Sequence, residues 1–130
     1  MAERLHLVIV DDSRTVRLHL QLLVGADYEC HLADSAEAGL ALARKLDPLP
    51  SAILLDVRMP GLGGIEALRQ LKADARMRDV PVVMVTTRGE EETVEACREL
   101  GCAGFVTKPV QTPELFQVLR AVAPRGLSHG

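Results

Sequence analysis

The chain alternates, and nothing else in it restricts the fold so tightly. Five short apolar runs are each followed by a segment whose apolar residues recur at helical spacing. The runs predict strands over Leu5–Val10, Tyr28–Ala33, Ala52–Leu55, Pro81–Val85 and Ala103–Thr107. Between them, Ser13 is placed to cap a helix reaching Val24, with Val16, Leu20 and Leu23 on one face. Ser35 is placed to cap a second helix carrying Ala36, Leu40 and Ala43, which ends before Pro48. After the loop DVRMPGLGG, whose Gly61, Gly63 and Gly64 permit unusual dihedrals, a third helix carries Ile65, Leu68 and Leu71. A fourth runs from about Glu90 to Leu100, with acids in its first turn to suit the helix dipole and Gly101 to end it. A fifth starts with Thr112 as cap and Pro113 at the first helical position, then buries Leu115, Val118, Leu119 and Val122. Strict β–α alternation means an α/β fold: a doubly wound parallel sheet covered on both faces, with right-handed crossovers.

The 130 residues suit one domain, with no linker, repeat or low-complexity tract. We expect it to occupy residues 1–123, with 124–130 as a flexible tail; the opening MAER fits a natural start. A net charge of −3 with scattered basic residues argues against direct nucleic-acid binding. Apolar runs of about six residues are far too short to span a membrane, where about 20 are needed, and the N-terminus lacks a signal-peptide layout. Cys30, Cys97 and Cys102 have no CxxC spacing and read as reduced thiols, which fits a cytoplasmic protein.

In such sheets ligands bind beyond the carboxyl ends of the strands. Asp11, Asp12, Asp56, Thr86 and Lys108 all fall there, on strands one, three, four and five. Several carboxylates crowded on one rim need a cation or protonation. Mg2+ is the natural partner for such oxygens, and an aspartate facing it can act as a nucleophile toward phosphorus. Taken singly, each residue also has a plainer role: a helix cap, a turn residue, a strand end, a surface lysine. His6, His19, His31 and His129 lie on separate segments with no i, i+4 pair, and are not expected to form a metal site.

Taken in order, Asp11–Asp12, Asp56 in DVRMPGLGG, Thr86 in PVVMVTT and Lys108–Pro109 in GFVTKPV resemble a response-regulator receiver domain of two-component signalling, most like the compact chemotaxis-type (CheY-like) receivers. The likeness runs over essentially the whole chain. It implies a flavodoxin-like (βα)5 sheet of order 2-1-3-4-5. It further implies that Asp56 accepts a phosphoryl group from a histidine kinase or phosphotransfer protein. Mg2+ would be held by Asp12, Asp56 and the backbone carbonyl of Arg58, and by Asp11 through water. Lys108 would pair with Asp56 and then with the phosphoryl oxygens. Thr86 would swing toward the phosphoryl group and Phe105 would follow as a switch. Lys108–Pro109 would be the family's cis peptide, a form accessible at low energy only before proline. Such a protein promotes only its own phosphorylation and dephosphorylation and is not otherwise an enzyme. Its downstream protein target would meet the face of the fourth helix, fifth strand and fifth helix, including Glu92, Glu95, Arg98, Glu99, Phe105 and Gln117.

The sequence departs from the family pattern in places. Gly63 stands where an aspartate is frequent, and Val110 where an aromatic is. Thr87 is bulkier than usual and would narrow access for donors. Arg58 and Arg88 occupy the two positions that tune phosphoryl lifetime, and would attract anionic donors and slow hydrolysis. Three other functions fit the sequence less well. An aspartyl-phosphate phosphatase of the haloacid-dehalogenase type would carry DxDxT on the first strand, where this chain has DDSRT. A dinucleotide site fails because Glu66 replaces the third glycine of GLGGIE. A scaffold that is never phosphorylated sits badly with the intact acid set. The chain could also be the N-terminal receiver of a longer response regulator or hybrid kinase.

Overall fold

In the computed structural model, which describes residues 5–87 and 89–122, five parallel strands and five helices alternate. The order is β1 (Leu5–Val10), α1 (Arg14–Val24), β2 (Tyr28–Ala33), α2 (Ala36–Lys45), β3 (Ala52–Asp56), α3 (Gly64–Ala73), β4 (Val82–Thr86), α4 (Glu91–Leu100), β5 (Gly104–Thr107) and α5 (Thr112–Val122). The strands lie in the order β2-β1-β3-β4-β5. Every neighbouring pair is parallel, with Val10 beside Leu55, Asp56 beside Val85 and Thr86 beside Thr107. This register gathers the carboxyl ends of β1, β3, β4 and β5 on one rim.

Side chains on a strand alternate between faces, so β1 sends Val8 and Val10 to one core and Leu7 and Ile9 to the other. The first core is closed by α2, α3 and α4 through Leu40, Leu68 and Cys97. The second is closed by α1 and α5 through Leu20, Val24, Leu115 and Leu119. Each buried leucine adds about 1.5–3 kcal/mol. β3 and β4 are buried along their whole length, as central strands between two helical layers must be. No described helix is long and apolar enough to cross a membrane.

Local chemistry sets the helix ends. Ser13 accepts from the Val16 amide at 3.3 Å and Ser35 from the Ala38 amide at 3.1 Å, as expected of caps. Gly101 closes α4 at φ 95°, a left-handed conformation that a side chain resists. α5 begins differently from the sequence expectation. The Leu115 amide donates to the Gln111 carbonyl at 3.0 Å, so Gln111 flanks the helix, Thr112 is its first residue and Pro113 its second. Amides throughout a first turn lack intrahelical acceptors, so proline marks the turn and not a unique position in it. β4 likewise starts at Val82. Pro81 has no N–H to donate, although its carbonyl still receives the Ile53 amide at 2.9 Å.

Gly64 is needed for a reason other than its dihedrals. It is helical, but a Cβ there would stand 2.1 Å from the Asp56 carbonyl oxygen. Its amide donates to the Val57 carbonyl at 3.0 Å. The first turn of α3 therefore presses directly on the backbone that carries Asp56. Gly61 and Gly63 do adopt positive φ, at 80° and 78°. The Lys108–Pro109 peptide is cis, and so is Asp47–Pro48, which the sequence reading did not single out.

Candidate functional site

The rim brings together Asp11, Asp12, Asp56 and Lys108. Ligand oxygens of the three aspartates lie within 4.8 Å of one another. Asp11 and Asp56 are buried, 1% and 3% exposed, and Asp12 is exposed to solvent. The Lys108 Nζ sits 3.2 Å from Asp56 Oδ1, to which it donates, and 3.1 Å from Asp11 Oδ2. The second contact is ionic, since it lies off the hydrogen-bond direction and leaves Asp11 Oδ2 without a donor. Asp11 Oδ1 accepts from the Ser13 amide at 2.8 Å, and the Arg58 amide reaches Asp56 Oδ1 at 3.4 Å. Asp56 Oδ2 is buried with no partner at all.

Electrostatics follow from this crowding. Burial pushes the Asp56 carboxyl up and Asp11 adds to the effect, while Lys108 and the Arg58 amide offset part of it. The result is about 6, against an ordinary 3.8. For Lys108, burial works against the charged form, but the close contacts with Asp11 and Asp56 and the attraction of both carboxylates outweigh it and hold the ammonium above its usual value. Two buried acids share one lysine, a third acid stands beside them, and two buried carboxylate oxygens lack hydrogen-bond donors. That donor set fits a hard divalent cation such as Mg2+, which takes oxygen ligands and tolerates a partly open site.

Thr86 ends β4 with its side chain buried, and its hydroxyl donates to the Thr87 carbonyl at 3.2 Å. It lies on the same rim but is turned to its own backbone. Phe105, on β5, is half-buried, and the Arg98 guanidinium covers its ring at 5.6 Å. Of the two arginines singled out, Arg88 lies outside the described residues. Arg58 is not a simple solvated charge. Its Nε donates to Glu90 Oε1 at 3.0 Å.

Glu90 stands where the sequence predicts, at the start of the fourth helix, but its side chain has partners that the sequence does not suggest. It flanks α4 and makes no side-chain cap there. Its carboxylate turns inward, only 7% exposed, and accepts from both Arg58 and the Thr87 hydroxyl. The Thr87 bond, then the Arg58 contacts, outweigh its burial and hold its pKa below the usual range. Helical spacing could not reveal this, because the partner lies 32 residues away across the rim. The histidines need correction. His6 and His31, on adjacent strands, meet at 2.9 Å with Glu29 beside them. Helical i, i+4 spacing was the wrong test, since parallel pairing joins residues far apart in sequence.

The sequence profile of the response regulator receiver domain matches residues 7–120. The chain belongs to that family. Among its curated relatives, the phosphate regulon transcriptional regulatory protein PhoB of Pseudomonas aeruginosa is 38% identical over 92% of this chain. Protein PilH of the same organism is 36% identical over 89% of this chain and 95% of its own length. This receiver spans 52% of the length of PhoB. Among solved structures, chemotaxis protein CheY4 of Vibrio cholerae superposes with a TM-score of 0.85 at 26% identity, covering 92% of this chain and 99% of that one. The (βα)5 architecture and strand order expected from the sequence are therefore those of the family, and the receiver is a phosphorylation-dependent switch of two-component signalling.

Proposed function

We propose that Asp56 is the phosphoacceptor of this receiver and that Mg2+ is its cofactor. The observation that carries the reading is the buried, unpartnered Oδ2 of Asp56, set among Asp11, Asp12 and Lys108. Asp12, Asp56 and the Arg58 carbonyl would hold the ion, with Asp11 acting through water. When bound, Mg2+ offsets negative charge on the transferring phosphoryl oxygens.

The chain's own residues supply position. An Asp56 carboxylate oxygen forms the new O–P bond as the P–N bond to the donor imidazole breaks, and that nitrogen keeps the electron pair. Lys108 exchanges its bond to Asp56 for one to a phosphoryl oxygen; a point charge on a flexible stem suits a partner that changes. Thr86 gives up the Thr87 carbonyl and turns its hydroxyl to the phosphoryl group. Phe105 then shifts inward, which alters the face formed by α4, β5 and α5, where a protein target binds. Water later returns the carboxylate and releases inorganic phosphate. The protein acts on no other substrate, and the reading places it in the cytoplasm. Arg58 and Thr87 would tune the phosphoryl lifetime through their shared hold on Glu90.

A second arrangement has support of its own. Because the chain spans about half of PhoB, the same switch could serve as the receiver of a longer regulator.

Beryllofluoride with Mg2+ tests the site. Wild type should take up one equivalent with chemical-shift changes at Thr86 and Phe105, and Asp56→Asn should take up none. Uptake that survives Asp56→Asn would overturn the assignment. With a small-molecule phosphoryl donor, one phosphoryl per chain and slow loss are expected, whereas sustained multiple turnover would mean a phosphatase.

A further inference from the structure

The rim holding Asp56 is not the only place where this chain gathers metal-ligating side chains. Among the described residues a second such group exists, formed by His6, Glu29 and His31 near the opposite end of the sheet. Register explains it. His6 pairs with Glu29 and Val8 with His31 across β1 and β2, so all three side chains project from the same face within two residues of one another.

Three atoms converge. His6 Nδ1 is 2.9 Å from His31 Nε2 and 3.2 Å from Glu29 Oε2, and His31 Nε2 is 4.0 Å from that same oxygen. A point equidistant from all three lies about 2.0 Å from each, which is the bond length of zinc to imidazole nitrogen or carboxylate oxygen. Hydrogen bonding alone serves this triangle badly. Between two neutral imidazoles only one N–H lies among the three atoms; on His6 Nδ1 it must be shared between His31 Nε2 and Glu29 Oε2, and on His31 Nε2 it leaves the carboxylate facing a lone pair. A cation at the centre accepts all three lone pairs together.

We propose that His6 Nδ1, His31 Nε2 and Glu29 Oε2 bind one divalent transition-metal ion, of the zinc, cobalt or nickel class. Two imidazoles select that class over Mg2+ or Ca2+, which prefer oxygen. Glu29 is 58% exposed while His6 and His31 are 20% and 24% exposed. The ion would therefore be held from the protein side and completed by water. β2 is an edge strand, and the ion would clip it to β1.

Zn2+ is the probe, titrated calorimetrically into the untagged full chain in excess Mg2+ so that the acidic rim is already supplied. One ion per chain is expected. Glu29→Gln and His31→Asn should each weaken binding roughly tenfold or more, and Asp56→Asn should leave it unchanged. Glu29 is mostly exposed, so its substitution tests the ligand without threatening the fold; urea unfolding checks that both variants are native. Affinity unchanged in both variants, or lost in Asp56→Asn, would overturn the site.

Discussion

Asp56 is held in a protonation state that depends on its neighbours more than on itself. In the unfolded chain its carboxyl titrates near 3.8; in the fold it titrates near 6. The folded state thus binds the proton more tightly. Stability from this group is fully present below pH 3.8 and is lost as pH rises through about 6. Asp56→Asn in metal-free protein should therefore stabilise by about 3 kcal/mol at pH 7 and by almost nothing near pH 3, as read by urea unfolding. Added Mg2+ should raise the wild-type melting temperature at pH 7, and Asp12→Asn should abolish most of that rise, because an ion that binds only the native state stabilises it by mass action. At Gly64 the constraint is space alone. Gly64→Ala should lose about 3 kcal/mol of stability, and beryllofluoride uptake at Asp56 should weaken with it, since the intruding methyl meets the carbonyl of that aspartate. The sequence could show that glycines were wanted in this loop. It could not show that Gly64 serves close approach while Gly61 and Gly63 serve backbone dihedrals.

At the scale of elements, what was legible followed period and punctuation. β1, β2 and the caps Ser13 and Ser35 were readable because each apolar run is bounded by residues with one dominant local role. The start of α5 was read one residue late, since a first helical turn accepts proline at more than one place. The partners of Glu90 are not legible in the sequence, because an acid at the start of a helix looks like a dipole partner and only the third dimension brings Arg58 and Thr87 to it. That contact joins the loop after β3 to the loop after β4. A double-mutant cycle of Arg58→Ala and Glu90→Gln should return a coupling of about 1 kcal/mol. If the two loops move together, phosphoryl loss should change by the same factor in Arg58→Ala, in Glu90→Gln and in the double variant. Equal loss rates in wild type and Arg58→Ala would remove Arg58 from any timing role.

Across the whole molecule, the acidic rim was legible because a parallel sheet delivers every strand end to one side, so order along the chain becomes proximity in space. The cluster of His6, Glu29 and His31 was not, because it depends on the register of β1 against β2, and pairing register is not written in either strand alone. The two groups share β1, whose residues between them are fully or almost fully buried. Asp11 is five steps along the chain from His6, and a strand rises about 3.3 Å per residue, or roughly 17 Å in all. A paramagnetic ion at each end would thus sit on a ruler whose length packing has fixed, and the dipolar splitting between the two spins would measure one strand of a protein in solution.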